Sequence, residues 1–264
     1  MIERLALGLL GAAVIAGGAW RANTLTRSGA AAAVFVGGAA TMPGYGWAAL
    51  LITFFVISAA LSRFGAARKA ARTARVVAKH GGRDAAQVVA NGSVFALGAV
   101  GYALTNDPLW ATGALGALTG AFADTTATEI GTLFGGTPRS ILTGRPIAAG
   151  LSGGITMTGS VAAVLAAAAL SLLAGVLAVD PRIAAAAFAG GVVAVAVDSL
   201  LGALVQARRW CPACAEATER DVHACGTPTR VAGGLAWLDN DGVNAASTLT
   251  GGLVAATVLS TVSV

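Results

Sequence analysis

Charge is scarce in this sequence. Asp, Glu, Lys and Arg supply 11% of its 264 residues, against about a quarter in soluble globular domains. That shortfall excludes a soluble domain of this length. Lysine occurs only at Lys69 and Lys79. No Gly-x4-Gly-Lys-Ser/Thr run exists, so a P-loop kinase is excluded. With two histidines and three cysteines, neither a histidine-rich catalytic centre nor a disulfide scaffold is available. The net charge is +5, which suits an anionic lipid surface or phosphorylated substrates. The basic residues lie in short loops, an arrangement that argues against a nucleic-acid partner.

Apolar residues make up 56% of the chain, with 36 glycines and a mean hydropathy of +0.77. Small residues let transmembrane helices approach closely. The expected fold is all-α, a polytopic helical membrane protein with seven to eight transmembrane helices forming one domain over residues 1–264. Apolar runs place the spans at roughly residues 4–20, 29–42, 46–62, 88–105, 109–134, 153–179, 183–207 and 242–262. The first run, Leu5 to Trp20, lacks a strong basic leader and reads as a mature helix. The second is short and ends at Pro43-Gly44, as a re-entrant or tilted piece would. With the N-terminus outside, every Lys and Arg except Arg4 and Arg182 falls in inside loops, a steep positive-inside bias. Residues 64–79 place Arg68, Arg72, Arg75 and Lys79 on one face of a helix, for contact with anionic lipid or for steering a phosphorylated substrate. His80, beside Gly81-Gly82, reads as a surface residue.

Polar groups inside the membrane are few, and such groups usually have a function. Asp124 and Glu129 lie toward the inner end of the fifth span, and Asn91 opens the fourth. Asp198 sits midway along the seventh. Asp239, Asn240, Asp241 and Asn244 start the eighth. Except for Asp198, which lies deeper, all are expected at the inner membrane face. Oxygen ligands of this kind suit Mg²⁺ with substrate phosphates. Asp124 and Thr128 share a helix face, whereas Glu129 lies about 140° round from Asp124. Glu129 therefore needs a local unwinding to share a metal, or it acts behind the first ligands. Alternatively, the acids make only polar helix contacts. The following loop brings Arg139, Arg145 and the Ser152-Gly153-Gly154 turn, whose backbone N–H groups can cradle an anion. Residues 208–230 form an inserted inside loop with Cys211, Cys214, His223 and Cys225, the pattern of a structural Cys₃His zinc site.

The segments "GGRDAAQVVANG" (81–92), "ADTTATEIG" (123–131), "TPRSILTGRPIAAGLSGGITMTGS" (137–160), "CPAC…TERDVHACGTPT" (211–229) and "WLDNDGVN" (237–244) occur in this order. Together they resemble the integral-membrane family that contains the phytyl-phosphate kinases. They are more distantly similar to polyprenol and dolichol kinases and CTP-dependent lipid cytidylyltransferases. The chain departs from the family at Thr125-Thr126, where a Thr-Trp pair is common, and keeps both carboxylates.

The resemblance implies an enzyme that transfers a phosphoryl group from a nucleoside triphosphate, CTP being the expected one, to an isoprenoid monophosphate with Mg²⁺. On that reading Asp124, Glu129 and Asp198 are catalytic, with Asp124 and Glu129 holding the metal. Asn91, Arg83, Arg139, Gly153, Gly154, Asp241 and Asn244 bind phosphates or metal waters. The expected location is the inner membrane, with the site facing the cytoplasm and membrane lipids around it. The competing reading is a transporter or lipid-translocating protein whose intramembrane acids mark an ion path.

Overall fold

The helix starts are set by short polar residues just ahead of apolar runs. Thr26 accepts from Gly29 N at 3.1 Å, and Asp107 from Leu109 N at 2.9 Å. Asp180 accepts from Arg182 N at 2.7 Å, and Asp239 from Gly242 N at 3.1 Å. Asp84 and Gln87 form a reciprocal capping box. Asp107 and Asp180 are each followed by proline at the first helical position, where its missing N–H costs nothing.

The structure is a computed structural model that describes residues 2–79, 81–177 and 179–262; His80 lies outside the described residues. The helices and strands run in the order α1 (Ile2–Arg21), α2 (Arg27–Thr41), α3 (Tyr45–Arg63), α4 (Ala66–Thr73), α5 (Ala85–Thr105), α6 (Pro108–Phe134), β1 (Arg139–Ser140), β2 (Gly154–Ile155), α7 (Met157–Leu177), α8 (Pro181–Leu204), β3 (Arg208–Cys211), β4 (Glu216–Thr218), β5 (Arg230–Gly233) and α9 (Asn240–Val262). Eight of these helices coincide with the eight expected spans.

Six helices, α1, α3, α5, α7, α8 and α9, are long and apolar enough to cross a membrane. Helix α6 falls outside that set although its 27 residues reach about 40 Å. The polar stretch from Asp124 to Thr132 makes it less apolar, and α3, α5, α7, α8 and α9 all pack around it. From Ala111 to Ala123 nearly every residue of α6 is buried. A helix covered by protein has no need of a lipid-compatible surface. Helix α2 has 15 residues, about 22 Å, short of the roughly 30 Å hydrocarbon core; it leans between α1 and α5.

Close approach depends on glycine. A Cβ on Gly190 would lie 2.2 Å from Gly251 O, and one on Gly116 would lie 2.6 Å from the same oxygen. Thus α6, α8 and α9 meet at one backbone. Near the opposite flank Trp47 of α3 stacks on Phe95 and Tyr102 of α5, with centroids 5.9 and 5.5 Å apart.

Three details differ from the sequence expectation. The basic segment forms a helix only over Ala66–Thr73. Beyond it, backbone carbonyls accept from side chains and backbone of the Cys-rich loop. Thr218 Oγ1 donates to Arg75 O at 2.8 Å, Glu219 N to Val76 O at 3.0 Å, and Arg220 Nη1 to Ala74 O at 3.3 Å. The sixth span starts at Met157 rather than 153, because residues 154–155 pair with 139–140 as an antiparallel hairpin. The Cys-rich loop carries a three-stranded antiparallel sheet in the order β4-β3-β5, so the helical fold holds two small β elements.

A Gly190→Val substitution is expected to separate α8 from α9 and lower the melting temperature in detergent sharply. Gly18→Val, where a Cβ meets nothing within 4 Å, is expected to change stability by less than about 1 kcal/mol, since valine has a somewhat better helix propensity than glycine. Differential scanning fluorimetry of both variants checks the pair.

Candidate functional site

The twelve Asp and Glu residues can be sorted by what holds them. Asp84, Asp107, Asp180 and Asp239 cap helices. Glu216 pairs with Arg75 at 3.1 Å and Asp221 with Arg209 at 2.5 Å. Asp241 pairs with Lys79, and Glu3 lies exposed on the first turn of α1. Glu129 is closed off: Lys69 donates to it, and so does Ser62 Oγ at 2.5 Å. Lys69 further donates to Leu61 O at 2.7 Å and Ser62 O at 3.0 Å. Glu129 and Lys69 thus tie α6 to α3 and α4.

Glu219, in the Cys-rich loop, accepts from the amide and hydroxyl of Ser152, which leaves Asp124 and Asp198. Among the described residues neither carboxylate faces a cationic partner; Asp198 accepts one bond, from Ser247 Oγ at 3.2 Å. Both line a cavity of about 160 Å³. Asp198, expected deeper than the other acids, lies at the same cavity as Asp124. Thr128, Ser199 and Asn240 add further oxygens to the walls. An all-oxygen donor set around two unpaired carboxylates fits a hard divalent cation.

The cation at this cavity is Arg72. Its guanidinium donates to Thr132 O at 2.7 Å and to Gly136 O, satisfying carbonyls at the C-terminal end of α6. Arg139 instead donates to Gly144 O at 2.8 Å on the exposed hairpin and is not among the cavity's lining residues.

Gly153 and Gly154 do line the cavity. Gly153 has φ +78°, and a Cβ there would lie 2.4 Å from the side chain of Ala203, so the turn lies flat on α8. The Ser152 amide, expected to help cradle an anion, donates to Glu219 Oε1 at 2.8 Å, and Ser152 Oγ does so at 2.5 Å. Burial pushes the Glu219 carboxyl above its usual range, while the Ser152 donors oppose that shift. Glu219 therefore fastens the glycine turn to the Cys-rich sheet.

In that sheet the ligand atoms of Cys211, Cys214, His223 and Cys225 all lie within 4.8 Å of one another. Cys211 Sγ and Cys225 Sγ are 3.7 Å apart; a tetrahedral site with metal–sulfur bonds of about 2.3 Å places sulfurs about 3.8 Å apart. His223 Nδ1 sits 3.2 Å from Cys225 Sγ, and Nε2 faces Glu216 at 3.6 Å. The four residues are arranged to hold a metal ion.

A family model described as integral membrane protein DUF92 matches residues 10–252. The chain belongs to this family. An uncharacterized membrane protein of Methanocaldococcus jannaschii is 31% identical over 163 residues, covering 62% of this chain and 66% of that protein. Protein PGR of Arabidopsis thaliana is 29% identical over 280 residues, covering 93% of each. No solved structure matches. The family match agrees with the resemblance carried by the five ordered motifs.

Within this DUF92 protein the expected site residues divide into groups. Asp124, Asp198, Gly153 and Gly154 share the polar cavity. Asn91 and Arg83 line a different, apolar cavity. Glu129 and Asp241 are paired with Lys69 and Lys79. Asn244 is absent from both cavity walls, and its carbonyl accepts from Ser247 Oγ at 3.1 Å. Sequence reasoning named Arg72 only as one of four cations able to steer a phosphorylated substrate, and did not name Glu219. The signal for Arg72 lay in the basic face of residues 64–79; nothing local marked Glu219.

Removing one partner of a buried ion pair leaves the other charge unmatched. Glu129→Gln is expected to lower stability by about 3 kcal/mol, and the double variant Lys69→Met/Glu129→Met is expected to recover most of it. Denaturation in detergent measures both.

Proposed function

We propose that this DUF92 protein is a membrane-embedded prenyl-monophosphate kinase that uses a nucleoside triphosphate, with CTP as the expected donor. The observation that carries the reading is the pair Asp124 and Asp198: two carboxylates without cationic partners facing one oxygen-lined cavity at the basic end of the bundle. The basic end would face the cytoplasm of an inner membrane, with the N-terminus outside, as the distribution of Lys and Arg favours.

Phosphoryl transfer requires positioning and charge neutralisation more than covalent chemistry. An oxygen of the prenyl phosphate forms a bond to the γ-phosphorus. The bond from that phosphorus to the β,γ-bridging oxygen breaks, and the nucleoside diphosphate leaves with the electron pair. The acceptor phosphate has a second pKa of about 6, so it is largely ionised near neutral pH and needs no general base. This suits a cavity whose described lining contains no histidine. Asp124 and Asp198 would hold Mg²⁺, with Thr128 and Asn240 beside them. When bound, the metal supplies positive charge against the triphosphate. Arg72 would add a cation, and the Gly153-Gly154 turn would let phosphates approach the backbone. Glu129 would act as a strut rather than as a ligand.

The Cys₃His cluster would hold a structural zinc ion, since four protein ligands close the coordination sphere. Its role would be to keep the sheet folded so that Glu219 can restrain the glycine turn.

The test uses purified protein, phytyl or geranylgeranyl monophosphate, Mg²⁺ and labelled CTP, ATP or GTP. Diphosphate product is expected, with Asp124→Asn and Asp198→Asn each reducing kcat about a hundred-fold while melting as the parent does. Absence of diphosphate from every pairing would move the acids to an ion-path role. For the metal, elemental analysis should find one zinc per chain. Cys211→Ser should lose it, and acidification should release it as protons displace the metal from thiolates.

A further inference from the structure

A second cavity, of about 290 Å³, adjoins a different face of α6 and is enclosed mainly by α1, α2, α3 and α5. Its walls are apolar, with Leu7, Ile15, Val36, Leu51 and Phe55 among them. The lining residues of α1 run from Leu7 to Ala16, about 14 Å along the helix. At one end Arg83, Gln87 and Asn91 enter, together with Thr125 of α6. Thr125 is the residue next to Asp124, about 100° round the helix, so the two cavities open on neighbouring faces of α6. At the far end the Thr41 hydroxyl is already directed to Arg4 O at 2.9 Å and Gly38 O at 2.8 Å.

Arg83 decides what this cavity suits. It sits where its backbone pairs with Thr24 and Thr26, and its side chain turns into the cavity wall. No described residue accepts a hydrogen bond from its guanidinium. The carboxylate that acts on it through space is Glu129, which is already engaged by Lys69 and Ser62. Burial pulls the guanidinium below its usual range, with Glu129 opposing. An unmatched cation at the mouth of an apolar cavity is costly until an anion meets it. A single-chain amphiphile answers both features: its tail lies along the walls and its anionic head meets Arg83.

We propose that this cavity holds the tail of the isoprenyl monophosphate, with Arg83 gripping its phosphate and the space around Gly11 setting how long a chain is accepted. The identity of the tail rests on the prenyl-phosphate reading above. The role of Gly11 follows from the packing. It lines the cavity, yet a Cβ built on it meets nothing within 4 Å. A larger side chain there would fill the tail's space without displacing a packed neighbour. Gly18, on the same helix, is equally open and is not among the lining residues.

Equilibrium binding of prenyl monophosphates to the detergent-purified full chain, without nucleotide, tests the assignment. Arg83→Gln is expected to weaken geranylgeranyl monophosphate about ten-fold or more, the loss of a charged hydrogen bond. Gly11→Leu should weaken the same ligand comparably while geranyl monophosphate binds as to the parent, and Gly18→Leu should bind both normally. A diazirine at the tail end of geranylgeranyl monophosphate should label α1 and α2 in the unmodified protein, a readout independent of variant folding. Unchanged affinity in Arg83→Gln and Gly11→Leu, labelling confined to α7–α9, or equal binding of geranylgeraniol and its phosphate would each overturn the proposal. Diphosphate formation is measured separately. Binding at this cavity without turnover would sink the kinase reading and leave the cavity's assignment standing; turnover with labels elsewhere would do the reverse.

Discussion

Helix α6 carries Asp124, Thr125, Thr126, Thr128, Glu129 and Thr132 within nine residues, and hydrocarbon gives such groups no partner. The bundle packs around α6, burying Ala111–Ala123 almost completely and leaving the polar stretch mostly half-buried beside a cavity. Five helices enclose α6, and glycine contacts at Gly116, Gly190 and Gly251 let the cover close to backbone distance. Thr126 donates to Phe122 O of its own helix at 2.8 Å. Charge that still remains is either matched, as Glu129 is by Lys69, or left facing a cavity, as Asp124 is. The cavity is therefore a consequence of how the central helix is shielded.

The Cys-rich sheet fastens this arrangement from outside the bundle. Glu219 holds Ser152 of the glycine turn, Thr218 holds the chain after α4, and Ala207 N donates to Leu238 O at 2.8 Å just before α9. Three segments distant in sequence are thereby fixed against one small unit. Its own hydrophobic contribution is slight, which is the situation in which a metal ion typically supplies folding energy.

Much of this was legible in the sequence. The eight helices and the Cys₃His quartet rest on local patterns, with periods and spacings that act within a few residues. The angular argument on α6 also succeeded, since Asp124 and Thr128 share a cavity while Glu129, about 140° away, does not. What local pattern could not supply was the identity of the facing element. The basic segment after α3 reads as one helix whose face meets anionic lipid or steers a phosphorylated substrate. In the fold, Lys69 turns to Glu129, Arg72 to the end of α6, Arg75 to Glu216 and Lys79 to Asp241. Likewise Asn91 and Arg83 are polar residues at the same end of the bundle as the acids, yet they open onto the apolar cavity.

By itself the sequence determined that this chain is a membrane protein, roughly where its helices lie, and which cysteines and histidine could share a metal ion, because hydropathy and ligand spacing are properties of neighbours along the chain. Only the tertiary structure decided which acids remain without a cation, which arginine meets each cavity, and what restrains the glycine turn. Those outcomes depend on side chains from separate helices meeting across gaps that glycine permits, and the partner of a charge is not written next to it.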